Sequence, residues 1–263
     1  MIQLEGQPVN PDDLAALALC NYGHFTSMRV VDGRVRGLGM HMDRLVSDCK
    51  RVFGADLDPE DVRRFVRAAV GPSGDVIARV TVFDPHLQLG RPAAACRPRI
   101  LVTTRESAAG GPLSPLALGT AEYEREAPAV KHVGLFGTLS HRRAAQLAGH
   151  DDVLFVNRHG HITEGATWNI GFLSGSTLLW PDGDQLVGVT MRLVSKLAER
   201  RQLKVAHATM TPQDALGRDA VFVTNAAVGL RPVASINGRP VVAAGEQLRR
   251  LTQEFNEDMG DPL

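Results

Sequence analysis

The segment Asp151–Leu173, DDVLFVNRHGHITEGATWNIGFL, sets a carboxylate, Glu164, at the mouth of an apolar strand. Lys131 stands upstream of it in APAVKHVGLFG, after an apolar residue and close to several small ones. A carboxylate in such a place is costly to desolvate unless a cation or a strong donor meets it. A lysine in a partly desolvated site holds its proton less firmly and becomes a nucleophilic amine, suited to Schiff-base chemistry. An amine to hold an aldehyde and an anion to keep a ring nitrogen protonated are what pyridoxal 5'-phosphate requires of a protein. The chain has four lysines. Lys50 and Lys196 fall on expected helices among other charges, and Lys204 opens a strand after a basic run, which leaves Lys131. The competing reading of Glu164 is a turn residue paired with Arg158.

A phosphate needs donors. Gly188-Val189-Thr190 leads into the apolar-periodic stretch Met191–Arg200, so Thr190 is the expected N-cap of a helix. The unpaired N–H groups and partial positive charge of a helix N-terminus suit a phosphate dianion. A metal centre is not expected, because His159-x-His161 has no third ligand at useful spacing and neither HExxH nor paired CxxC occurs.

These residues must be carried by strands and helices, and the spacing predicts two α/β halves. His24–Val31 reads as a strand turning at Asp32-Gly33. His41–Phe53 has apolar residues at helical spacing and Gly54 as its stop. Asp58-Pro59 starts a second helix. Val76–Phe83, Arg99–Thr104 and Leu116–Tyr123 read as strands, and Glu106–Pro115 is the expected linker. Beyond it come a helix over Leu139–Ala148, the central hairpin, the Met191–Arg200 helix and a short helix from Thr211. A strand at Val221–Thr224, a turn at Asn237-Gly238 and a helix over Glu246–Asn256 close the chain. The expected domains are 1–110 and 116–263, with Lys131 in the second.

Composition excludes several classes. Hydrophobic residues make up 44% of 263, enough for a real core, and the formal net charge is zero. No basic patch with interleaved aromatics occurs, so nucleic acid is a poor partner. No apolar run approaches the roughly 18–20 residues of a membrane span, and the opening MIQLEGQPVNPDD lacks a signal-like apolar core. Three scattered cysteines suit reduced thiols, and the expected location is cytoplasmic.

YGHFTSMRVVDGRVRGLGMHMDRL, VKHVGLFG, ITEGATWNIGFL, LVGVTMRLV and VFVTNAAVGLRPV follow one another between about Tyr22 and Val233. In that order they resemble the class IV aminotransferase family, the fold type IV pyridoxal phosphate enzymes, which include branched-chain and D-amino acid aminotransferases and aminodeoxychorismate lyase. The resemblance implies a two-domain fold type IV architecture, a homodimer, and an amino acid or 2-oxo acid substrate. It implies Lys131 as the catalytic, cofactor-bearing lysine, with Arg44, Glu164, Val189, Thr190 and Ala226 around the cofactor and Phe25, Ser27 and Ala227 toward substrate. Arg44 matches the family's phosphate-gripping arginine. Thr26-Ser27 and the VKH opening resemble the lyases, whereas Gly134-Leu135 departs from their Asn-Arg and Thr190 is of the aminotransferase type. Ala226 replaces a threonine common in aminotransferases, and Trp168 fills a position that is usually small. Transamination is the primary expectation. Elimination releasing pyruvate and an aromatic amine is the alternative, and a non-catalytic cofactor-binding protein is the third.

Overall fold

A computed structural model describes residues 1–107, 113–242 and 245–263. The expected linker lies partly, and the expected boundary at 110 wholly, outside those residues. The chain forms two compact units, Met1–Ala108 with Val130–Gly134 and Met259–Leu263, and Ala109–Ala129 with Leu135–Asp258. Lys131 therefore belongs to the first unit, not the second as the boundary at 116 implied. The cause is backbone pairing. The N–H of Phe25 donates to the Lys131 carbonyl, that of Val133 donates to the Gly23 carbonyl, and His24 bridges antiparallel to His132.

The first unit begins with β1 (Ile2–Leu4), β2 (Gln7–Pro8), α1 (Pro11–Cys20), β3 (His24–Val31), β4 (Arg34–Val35), α2 (Leu38–Phe53), α3 (Pro59–Val70), β5 (Asp75–Phe83) and β6 (Arg99–Glu106). β3 has the bounds that its apolar run predicts, and Asp32 and Gly33 turn it into β4 with φ of 47° and 70°. Asp58 caps α3 by accepting from the Glu60 N–H, with Pro59 at the first position. Side chains alternate across a strand. One face of β3 and β5, with Met28, Val30, Ala78, Val80 and Val82, packs on Leu38, Met42, Leu45 and Cys49 of α2 and on Val62, Val66 and Ala69 of α3. The other face carries Phe25, Ser27, Arg79 and Thr81, with Ser27 opposite Arg79 and Phe25 opposite Thr81.

The second unit holds β7 (Leu116–Glu122), α4 (Phe136–Leu147), β8 (Asp152–Val156), β9 (Ile162–Gly165), β10 (Asn169–Ser174), β11 (Thr177–Pro181), α5 (Val189–Arg200), β12 (Lys204–Ala208), α6 (Pro212–Ala215), β13 (Ala220–Asn225), β14 (Gly229–Ile236), β15 (Arg239–Pro240) and α7 (Glu246–Glu257). Its strands run β12-β11-β10-β13-β14-β7-β8-β9, with β15 beside β14. The β11/β12, β14/β7 and β7/β8 pairs are parallel. Buried Trp180, Phe172, Phe222 and Ile170 anchor its apolar layers. The last strand, β16 (Asp261–Pro262), returns to the first unit and pairs with β4, completing an antiparallel sheet of order β16-β4-β3-β5-β6-β1-β2. Among the described residues no helix is long and apolar enough to cross a membrane.

Candidate active site

In the first unit the arrangement grows from one stripe of α2. His41, Arg44 and Asp48 are spaced three and four residues apart, so they share a helix face. His41 and Asp48 are both 1% exposed. The Asp48 carboxylate accepts the Lys131 N–H at 3.1 Å, and burial pushes its pKa above the usual carboxylate range while that N–H pulls it back. The lysine backbone is thus held on both sides, by Asp48 and by the start of β3. Its Nζ lies 4.8 Å from the centre of the Phe25 ring. The Arg79 guanidinium lies 3.6 Å from that same ring and donates through Nε to the Thr81 hydroxyl at 3.2 Å. Burial lowers the Arg79 pKa, and no carboxylate pairs with it among the described residues. Two cations around one aromatic ring, one lacking an acid partner, form a place suited to an anionic ligand.

Thr26 points away from that face. Its hydroxyl meets His41 Nδ1 at 2.7 Å and accepts a hydrogen bond from Arg44 Nη2, itself 3.4 Å from His41 Nδ1. Burial, followed by the nearby charges of Arg44 and Lys131, lowers the His41 pKa well below that of a free imidazole. Thr26 and Ser27 are therefore not a hydroxyl pair on one surface. Strand alternation sends Thr26 toward α2 and leaves half-buried Ser27 beside Arg79.

The second unit assembles the other expected residues around Asn169. Its side-chain amide donates to the Leu186 carbonyl at 2.7 Å and to Gln185 Oε1 at 3.1 Å, and its oxygen accepts the Gly188 N–H at 3.2 Å. This fixes the loop entering α5. The helix begins two residues earlier than expected, with Gly188 as N-cap and Thr190 within the first turn. No side chain caps it, since Asn169 reaches back to Gly188 and leaves the first-turn N–H groups to another partner. Glu164 accepts the Leu186 N–H through Oε2 at 3.4 Å and forms an ion pair with Arg125 at 3.7 Å, both side chains under a tenth exposed. Arg125 thus takes the place proposed for Arg158, which is engaged with Glu124 and His159.

Asn225 organises the loop holding Ala226 and Ala227. Its Oδ1 accepts the N–H groups of Ala227 and Val228 at 2.9 and 3.0 Å, and its amide donates to the Thr167 carbonyl at 3.2 Å. Trp168 supports the adjoining turn: its Nε1 donates to Asp152 at 2.8 Å, and Arg142 grips the same carboxylate with two bonds. A Cβ on Gly165 would lie 2.2 Å from the Trp168 ring, so that glycine makes room for the indole.

Sequence reasoning passed over Arg79, Asp48, Arg125, Asn169 and Asn225. Asn169 lies inside the quoted ITEGATWN block, and Arg79 interrupts an otherwise apolar strand, which is itself a signal. Asp48 and Arg125 reveal themselves only through partners tens of residues away.

The amino-transferase class IV sequence profile matches residues 23–236. A Methanocaldococcus jannaschii protein assigned to the branched-chain-amino-acid aminotransferases is 26% identical over 254 residues, spanning 91% of this chain and 86% of that protein. The Escherichia coli branched-chain amino acid aminotransferase structure superposes with a TM-score of 0.87 at 20% identity, covering 99% of this chain and 94% of the other. A hypothetical aminotransferase from Mycobacterium tuberculosis, solved in a PLP-bound form, gives a TM-score of 0.82 at 17% identity over 98% of both chains. With the profile covering well over half its length, the chain belongs to the class IV aminotransferase family.

Proposed function

We propose that this protein is a pyridoxal phosphate-dependent aminotransferase that moves an amino group between an amino acid and a 2-oxo acid. The observation that carries the reading is the convergence of Lys131 Nζ and the acid-free Arg79 guanidinium on Phe25. The residues fit the cofactor: an uncapped, buried helix start at Val189 and Thr190, a buried carboxylate at Glu164, and a lysine pinned by its backbone. Lys131 would carry the aldehyde carbon, Arg44 and the α5 turn the phosphate, and Glu164 the ring nitrogen, with Ala226 backing the phosphate. When bound, the cofactor supplies an electron-accepting ring. Lys131 Nζ moves the proton at the substrate α-carbon, and Arg79 holds the carboxylate so that this proton faces the amine. Phe25, Ser27 and Ala227 bound the substrate side chain, and the names of the relatives support an apolar one.

Thr26 faces α2 and Ser27 stands alone on the Phe25 and Arg79 face, and the names of the relatives support transamination over elimination. A homodimer is part of the reading, supported by the exposed Phe136 and Leu147 on α4 and testable by sedimentation. A cytoplasmic location is supported by three cysteines free of disulfides. The decisive measurement adds branched-chain and other amino acids to cofactor-loaded protein and follows absorbance and products. A pyridoxamine spectrum with a released 2-oxo acid is expected. Pyruvate without that spectrum means elimination, and no response to a broad panel means a binding protein. Borohydride trapping should place the pyridoxyl group on Lys131, and label on Lys50, Lys196 or Lys204 would sink the assignment.

A further inference from the structure

Arg44, Thr26 and His41 constrain one another by the count of their protons. Guanidinium groups only donate, so the Arg44 Nη2 bond makes Thr26 Oγ an acceptor. The hydroxyl keeps one proton of its own to place. Thr26 is fully buried, and among the described residues its side chain has no partner besides Arg44 and His41. The proton therefore points to His41 Nδ1, 2.7 Å away. That nitrogen must then be bare, and the ring carries its proton on Nε2. A proton on Nδ1 would leave the hydroxyl proton without an acceptor and turn an N–H toward Arg44 Nη2, itself a donor, 3.4 Å away. Burial favours the neutral ring as well.

We infer that Thr26 and His41 are positioning residues for the cofactor phosphate: neutral His41 orients the Thr26 hydroxyl, and that hydroxyl holds the Arg44 guanidinium in its phosphate-binding geometry. The inference rests on the reading of Arg44 as the phosphate ligand. It also gives Thr26 a different task from chemistry at the substrate. A guanidinium free to turn must be ordered whenever the phosphate binds, whereas one already held loses less entropy per bond formed.

The test compares dissociation constants for pyridoxal 5'-phosphate and for pyridoxal, which lacks the phosphate, across Thr26→Val, Thr26→Ser, Arg44→Ala and the Thr26→Val/Arg44→Ala double variant. Apoprotein melting confirms that each variant folds. Thr26→Val is expected to weaken the phosphorylated ligand about tenfold or more, the scale of one hydrogen bond to a charged group, and to leave pyridoxal unchanged. Thr26→Ser should restore parental affinity. In the Arg44→Ala background Thr26→Val should add nothing, because Thr26 acts through the arginine. Nitrogen-15 NMR of the parent should show His41 with an unprotonated Nδ1, its signals identified by their loss in His41→Gln.

Parental affinity in Thr26→Val, equal weakening of both ligands, an undiminished effect without Arg44, or a protonated His41 Nδ1 would each overturn the inference. Arg44→Ala with parental affinity for the phosphorylated ligand would instead remove the underlying reading, and the inference with it. Weakened binding in Arg44→Ala beside an unaffected Thr26→Val leaves that reading standing and rejects this one alone.

Discussion

At the scale of single residues, Arg79 is the one whose setting demands a ligand. Taking a guanidinium partly out of water without an acid partner is unfavourable, and nothing within the described protein offsets it except Phe25 and a hydroxyl. A substrate carboxylate would. Arg79→Gln should raise KM for the amino acid roughly 10- to 100-fold, the scale of a charge-assisted hydrogen bond, and lower kcat much less. Steady-state kinetics with one amino acid checks this, and an unchanged KM would remove Arg79 from the substrate site. The residue scale is also where sequence reading was weakest. Lys131, Glu164 and Arg44 stand in contiguous blocks that can be read directly. The partners that position them are set by tertiary contacts: α4 and β8 separate Arg125 from Glu164 along the chain, and Asp48 meets Lys131 across more than eighty residues.

Elements were far more legible, because their signals are local. The bounds of β3, the Asp58 cap of α3 and the Thr211–Asp214 capping box of α6 follow from apolar runs and cap chemistry that need no distant partner. The start of α5 did not, since a threonine at a helix entrance is the usual cap and only the reach of Asn169 to Gly188 displaces it. α1 escaped notice for a different reason: it is apolar on every side from Leu14 to Leu19, so the half-buried Leu14 and Leu17 that pack on Leu4, Phe83 and Leu101 leave no stripe to read. Gly188 deserves its own test. Its φ of −69° is ordinary, so space decides its identity: a Cβ there would lie 2.3 Å from Asn169 Oδ1. Gly188→Ala should push Asn169 aside, break its bond to the Leu186 carbonyl and cost about 1–3 kcal/mol. Cofactor affinity should fall with it. Thermal melting and cofactor titration measure both, and parental values in each would mean that the loop yields without consequence.

The whole molecule carries a pH dependence written largely by buried histidines. His24 is fully buried, neither ring nitrogen has a hydrogen-bond partner among the described residues, and burial with the Arg44 charge lowers its pKa to about 4. The unfolded chain takes up this proton near pH 6.5 and the folded one only near 4, so the stabilisation is complete above pH 6.5 and drains away as pH falls toward 4. The difference amounts to about 3 kcal/mol. His41 shifts in the same direction and adds to it, while Asp48, raised by burial, opposes it at the acidic end. Urea unfolding between pH 4 and 8 should give a stability that climbs with pH, and His24→Leu should flatten much of the climb. A parent without that slope would show that water reaches the His24 ring. Finally, β16 follows the whole second unit in sequence but belongs to the first sheet, where Asp261 receives the Leu38 N–H, the Gly260 carbonyl receives Arg34, and the Leu263 N–H reaches the Gly33 carbonyl. During synthesis on the ribosome β4 must therefore wait, with one edge open, until residues 261–263 emerge, after the whole second unit. The first sheet is completed only after the second unit has been made, and until then that bare strand edge is the surface on which a nascent chain can pair with the wrong partner.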